Sequence, residues 1–396
     1  MPSSPRRGPA GDSRHVLILG ARAPASLEWA RAFHAAGWRI TVADSLAWPV
    51  ARASRAAAGY ARLPEPRAHP ARWLEAVRRT VIELGIDLAL PTCEEAFYLA
   101  SGRDALPCQV IVERFELMHQ LHHKHRFAMM TAGWAAPAPE TRLLESPEAV
   151  MSMRRAAPAW VFKPAYSRFA SRALPRPSAS RLERIRPTAA QPWVAQRYVP
   201  GREHCSYSLL ANGRLTAHAC YHPRYRAGRG SGIWFEPTDP APVRAFVEQF
   251  GAATGYSGQV GFDFIETPDG AYRVLECNPR ATSGVHLFAE QPLRLVDALL
   301  GAPPESGVLS PSGGPKMLGL AMLLFAAPRH GLSRSFWRDF SAAGDVLLRP
   351  GDAAPLAAQF AGLLEISARA LSRRRGLLSA ATADIEWNGQ PLNDAG

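Results

Sequence analysis

The stretch VGFDFIETPDGAYRVLECNPR, residues 260–280, decides the reading of this chain. Two strand-like runs, 259–267 and 271–277, flank the turn residues Pro268, Asp269 and Gly270, so the stretch reads as a β-hairpin. With a loop from Pro268 to Ala271, Thr267 faces Tyr272, Ile265 faces Val274 and Asp263 faces Glu276. Side chains alternate along a strand, so Glu276 and Asn278 share a face and Asp263 joins them from across the ladder. Like charges directly opposed destabilise a hairpin. The pair therefore needs a cation, either a metal or an arginine such as Arg273 or Arg280. Two carboxylates and an amide oxygen are hard donors that suit magnesium beside nucleotide phosphates.

Outward from the hairpin, the first half of the chain alternates strand and helix. HVLILG at 15–20 is an apolar run of the kind buried in a parallel sheet. A helix at 25–36 ends before Gly37, a second strand spans 39–43, a helix spans 73–84 and a third strand 87–91. This order predicts a doubly wound α/β domain. A dinucleotide site is disfavoured, because only Gly20 of the three fingerprint glycines is present, although Asp44 stands where a ribose-binding acid would. Further on, strands are expected at 160–163, 193–199, 206–210 and 214–220, the last two around the hairpin turn Asn212-Gly213. A helix is expected at 243–255, and YHPRYRAGRGSG at 221–232 reads as an Arg/Gly surface loop.

The composition bounds the class. The chain has 396 residues, 47% of them hydrophobic, and a net charge of +12. No apolar run is long enough to span a bilayer, so no membrane partner is expected. The basic residues are scattered and carry no nucleic-acid motif, so no nucleic-acid partner is expected either. Five unpaired-looking cysteines and no apolar leader predict a cytoplasmic protein. Only three of the 46 basic residues are lysine: Lys124, Lys163 and Lys316. A lysine kept in so arginine-rich a chain suggests a compact charge for phosphate.

In this order, Lys124, Lys163-Pro164, the run Gln196 to Glu203, Asp263 and Glu276-Cys277-Asn278-Pro279-Arg280 resemble the ATP-grasp superfamily. That superfamily includes biotin carboxylase, carbamoyl-phosphate synthetase and the carboxylate–amine ligases. The resemblance covers roughly residues 14–300 and implies a disordered tail at 1–13, a Rossmann-like domain at 14–121 and an ATP-grasp domain at 122–305. The lid would occupy roughly 140–197, with a mainly helical extension at 306–396. It implies ATP and magnesium, or manganese, as cofactors. Lys124, Lys163 and Ser167 would meet the phosphates. Gln196, Tyr198 and Val199 would line the adenine pocket, and Glu203 would hold the ribose. Asp263, Glu276 and Asn278 would hold the metal, and Arg280 would act with Lys163 on the transferred phosphoryl group.

The implied reaction activates a small-molecule carboxylate as an acyl phosphate and joins it to an amine. A bicarbonate-activating enzyme and a non-catalytic ATP-binding module are the alternatives. The module is motivated by a departure from the family pattern: the loop 165–172 contains no glycine. Substrate contacts are expected from Glu94, Arg224, Arg226 and His286. His119, His122, His123 and His125 lack an acid or cysteine partner and read as a solvated face, not a zinc site. The C-terminal helices would complete the substrate pocket or a homodimer interface. DIEWNG at 384–389 stands out without an explanation from sequence.

Overall fold

A computed structural model of the chain describes residues 13–167, 172–228, 230–302 and 307–392. The terminal tail and residues 168–171 of the glycine-free loop thus lie outside the described residues. Strand β1 (His15–Leu19) is buried along its whole length. It pairs in parallel with β2 (Arg39–Asp44) on one side and β4 (Leu88–Pro91) on the other. With β3 (Gly59–Arg62) and β5 (Gln109–Val110) it forms a parallel sheet in the order β3-β2-β1-β4-β5. The chain winds outward from β1 and then returns to its other side. The carboxyl ends of β1 and β4 therefore border a crevice of the kind where open α/β sheets bind ligands.

Two short helices, Phe115–His122 and Lys124–Met130, follow. A four-stranded sheet comes next, made of β6 (Thr141–Leu144), β7 (Trp160–Pro164), β8 (Leu174–Pro175) and β9 (Trp193–Arg197) in the order β6-β9-β7-β8. It has a core of its own around Trp160, Phe162, Leu182 and Trp193.

The largest sheet contains β10 (Arg202–Ala211), β11 (Arg214–Arg226), β12 (Gly232–Thr238), β13 (Gly258–Glu266), β14 (Tyr272–Asn278), β15 (Lys316–Met317) and β16 (Gly344–Asp345). Its order is β14-β13-β10-β11-β12-β15-β16. Asn212 and Gly213, with φ of 49° and 78°, make the β10–β11 turn, the doubly positive geometry that favours Asn-Gly. Helix Ala241–Thr254 buries Val243, Phe246, Val247 and Phe250. These pack with Phe262 and Phe264 of β13, the spacing expected of one helical face.

One expectation is corrected. Residues 221–226 are not part of a surface loop, because β11 runs on to Arg226 and pairs with β12, Tyr225 opposite Trp234. Tyr221, Pro223 and Tyr225 point inward and are buried, but the arginines and Pro223 hide that alternation in the sequence. The C-terminal extension is mainly helical, and it also carries two short strands. It adds β15 and β16 to the edge of the largest sheet, with helix Arg334–Ala342 between the two strands and helix Ala354–Ser372 after them. Among the described residues, no helix is long and apolar enough to cross a membrane.

Candidate active site

The β13–β14 hairpin brings the acids together by a route that the register arithmetic only partly anticipates. Near the turn the pairs are Glu266–Tyr272, Ile265–Arg273 and Phe264–Val274, one residue away from the expected register. The ladder then shifts, Leu275 is left without a cross-strand partner, and Asp263 faces Glu276 as expected. A bulge of this kind re-aims side chains. Here it puts Leu275 and Glu276, consecutive residues, on the same partly open face. Asn278 follows two residues on, its Nδ2 3.5 Å from Asp263 Oδ2 and its Oδ1 3.1 Å from Arg280 Nη2.

The lysines converge on this hairpin from two other elements. Lys124, at the start of its helix, is buried and reaches Glu276 at 3.4 Å and the Ser167 carbonyl at 3.0 Å. Lys163, on β7, donates to Gln196 Oε1 at 3.0 Å, and its Nζ lies 3.5 Å from the Leu275 carbonyl. Gln196 is held in turn by Thr141 Oγ1 at 3.1 Å. Lys316 stands apart and pairs with Glu290.

Burial and like charge set the electrostatics. Asp263 is pushed up to about 6, first by desolvation and then by Glu276. Burial also raises Glu276, but Lys124 and Lys163 outweigh it and hold the group down at about 2. Burial lowers Lys163 to about 8, with Lys124 adding to the effect and Glu276 opposing it. The charge cluster is thus tuned so that one acid is ionised and its partner is reluctant.

Two cavities meet at the acid pair. The first, of about 350 Å³, lies between the four-stranded sheet and the largest sheet. Its walls include Lys163, Ser167, Gln196, Tyr198, Val199 and Glu203. The second, of about 280 Å³, opens toward the crevice of the parallel sheet and includes Pro24, Cys93, Asn278, Arg280, Thr282 and His286. Cys205, Arg226, Asp263 and Glu276 line both.

The remaining expected residues divide. Arg226 sits at the junction and pairs with Glu203. Glu94 is buried, lies 3.8 Å from Arg280 and accepts the Trp387 N–H at 3.2 Å. His286 touches the second cavity, yet its ring bonds to Glu28 at 3.1 Å, and Glu28 also holds Arg349 at 2.6 Å. Arg224 lines neither cavity and pairs instead with Asp339 at 3.3 Å.

The histidines are not a solvated face. His122 and His123 are buried, and His119 bonds to the Tyr166 hydroxyl. His119 and His122 pack against Trp387, whose ring stacks on Phe97 at 4.8 Å and lies 5.5 Å from Tyr166, and His123 packs on Tyr166. The DIEWNG segment therefore ties the C-terminus to both Glu94 and the base of the loop that follows Lys163. Only its tryptophan could have signalled this, since a lone aromatic in a polar tail implies a packing partner.

Among the described residues, no three His, Cys, Asp or Glu side chains are grouped to hold a metal. Asp263 and Glu276 with the amide of Asn278 fit magnesium nonetheless, because that ion needs only one or two carboxylates when phosphates and water complete its shell. A divalent cation would also relieve the repulsion that raises Asp263.

No family model matches the chain, and no curated protein matches it in sequence. Solved structures do match its architecture. N5-carboxyaminoimidazole synthetase from Staphylococcus aureus complexed with ADP aligns at TM-score 0.59 and 11% identity, over 81% of this chain and 86% of that one. L-amino acid ligase from Bacillus licheniformis aligns at 0.56 and 14%, over 73% and 75%. Biotin carboxylase from Campylobacter jejuni, in a β-γ-ATP complex, aligns at 0.57 and 16%, over 73% and 71%. The chain has the ATP-grasp fold. The 350 Å³ cavity is the space between the sheet of β6–β9 and the sheet of β10–β16. The parallel sheet of β1–β5 is the Rossmann-like domain that precedes the grasp.

Proposed function

We propose that the chain is a ligase that binds ATP with magnesium between lid and core, activates a small-molecule carboxylate as an acyl phosphate, and joins it to an amine. The observation that carries this reading is the position of Asp263 and Glu276 on the shared boundary of two cavities. A group passed from one cavity to the other must cross at these acids. The complexes of the S. aureus and C. jejuni enzymes with ADP and β-γ-ATP support the nucleotide assignment by analogy of fold.

The residues take their roles from where they stand. Val161, Ile265 and Leu275 offer apolar walls for an adenine ring. Tyr198 and Val199 close the hinge side, and Glu203 is placed for ribose hydroxyls. Lys163 lines that cavity and Lys124 contacts Glu276 beside it, at the end nearest the acids, where phosphates would lie. Asp263, Glu276 and Asn278 would hold magnesium or manganese. When bound, the ion offsets the charge on the phosphate oxygens. Arg280, anchored by Asn278, faces the second cavity and steadies the transferred phosphoryl group.

The carboxylate oxygen attacks the γ-phosphorus as the bond to ADP breaks, giving the acyl phosphate. The amine then attacks the acyl carbon, phosphate leaves, and the amine proton passes to solvent or to phosphate. Closure of the lid would keep water from the acyl phosphate. A second cavity of about 280 Å³ is far roomier than bicarbonate needs, which favours an organic acid.

The test is an ADP-release screen over pairs of acids and amines. Release that needs both partners supports the ligase. Release that is equally fast without any acid overturns it.

A further inference from the structure

The substrate cavity has an apolar neighbour. A groove of about 220 Å³ shares Pro24 and Leu318 with it as wall residues. Beyond that shared wall, the groove is lined by Leu46 and Val50 of the Rossmann-like domain, Leu324 and Phe325, and Leu363 and Ile366 of helix Ala354–Ser372. Among the described residues Arg22 is its one charged lining residue, and its guanidinium is already held by Asp44 and Asp384 at 2.6 Å each. Gln359 donates to the Leu356 carbonyl at 2.9 Å. Among the described residues, no uncommitted charge therefore faces the groove. Leu324 and Phe325 reach it from the turn Met322–Ala326, which is π-helical. Such turns recur at functional sites because they re-aim side chains at a cost in regular hydrogen bonding. Leu324 and Trp48 are 54% and 55% exposed along the groove, apolar surface left open to water.

The cavity beside it carries the charged groups, with Arg226, Arg280, Thr282, Ser283 and the acid pair in its walls. A chamber that holds charged groups next to a groove without free charge, with two wall residues in common, matches an amphiphile. We infer that the carboxylate substrate carries an apolar chain, seated in the groove that the C-terminal extension builds against the Rossmann-like domain, while its carboxylate stays at Arg280. This rests on the ligase reading for the head group. The groove itself is tested separately.

The test titrates hexanoate, octanoate and decanoate into the full-length chain by calorimetry, with MgATP titrated in parallel. A buried methylene is worth about a fourfold gain in affinity, so octanoate is expected to bind roughly tenfold or more tighter than hexanoate. Ala321→Phe fills the groove and Leu324→Asp charges it; neither residue touches the nucleotide cavity. Both variants should flatten the series and leave MgATP binding intact. Equal affinity for all three acids in the unaltered chain overturns the inference. So does a chain-length gain that survives both substitutions. Sedimentation of the same samples covers the other occupant: a dimer that Leu324→Asp dissociates would give the groove to a second copy and overturn the substrate assignment. Failure of MgATP to bind would sink the nucleotide reading while leaving the chain-length result readable.

Discussion

Asp263 stands opposite Glu276 because Leu275 is pushed out of the ladder between them and the turn. In the register that holds at the turn, Asp263 would have met Leu275, an apolar partner. The bulge converts that contact into an acid pair. It also leaves the Leu275 carbonyl 3.5 Å from both Lys163 Nζ and Gln196 Nε2. One irregular residue thus shapes the acid end and the nucleotide end of the site together.

Lys163 gives the site a pH signature. Its ammonium titrates near 8 in the free protein because burial disfavours the charge. A bound phosphate would favour the protonated form and raise that value. ATP affinity is therefore expected to be full below pH 8 and to fall by about tenfold per unit above it, with uptake of one proton on binding. Calorimetry in buffers of different ionisation enthalpy reads that proton directly. Affinity that is flat from pH 7 to 9.5 would contradict the placement of Lys163 at the phosphates.

Much of this was legible in the sequence, and what was not has physical causes. The strands 15–20, 39–43 and 87–91 declare themselves because fully buried parallel strands are continuous apolar runs. The Asp263–Glu276 opposition was also reachable, yet by an arithmetic that ignored the bulge and placed the turn one residue off. β12 was missed because Glu236, Pro237 and the Gly-rich approach to it mask a strand whose Ile233, Trp234 and Phe235 are buried consecutively. The histidines were misjudged because their burial depends on Trp387, more than 260 positions away. Local pattern carries no information about such a partner.

The C-terminal tie is expected to be acid-sensitive. Asp384 is 1% exposed and bridges to Arg22 at 2.6 Å. Burial raises its carboxyl, but Arg22 outweighs this and holds it below the ordinary value. The depressed value means that the pair stabilises the fold above about pH 4 and that the contribution is lost as pH falls below it. Asp384→Ala should cost about 3–5 kcal/mol at pH 7, as breaking a buried pair does, and the gap to the unaltered chain should narrow toward pH 3. Urea midpoints across pH measure both. A gap that widens in acid would contradict the pairing.

Trp387 should matter to stability and to the site. Its ring stacks on Phe97 and its N–H meets Glu94, which faces Arg280. Trp387→Ala should destabilise by about 3–5 kcal/mol, while Trp387→Phe, which keeps a ring and the backbone N–H, should recover most of that. A loss under about 1 kcal/mol for the alanine variant would show that the tail does not pack as described.

The acid pair is the centre of the nucleotide reading, and Glu276→Gln tests it most directly. ATP binding is measured by calorimetry on the unaltered chain and on the variant, each with and without magnesium. The expected result is that magnesium tightens binding to the unaltered chain by about tenfold or more and leaves the variant unaffected, since a charged hard-oxygen ligand has been replaced by a neutral amide. Magnesium dependence that persists unchanged in Glu276→Gln would contradict a metal site at the β13–β14 hairpin.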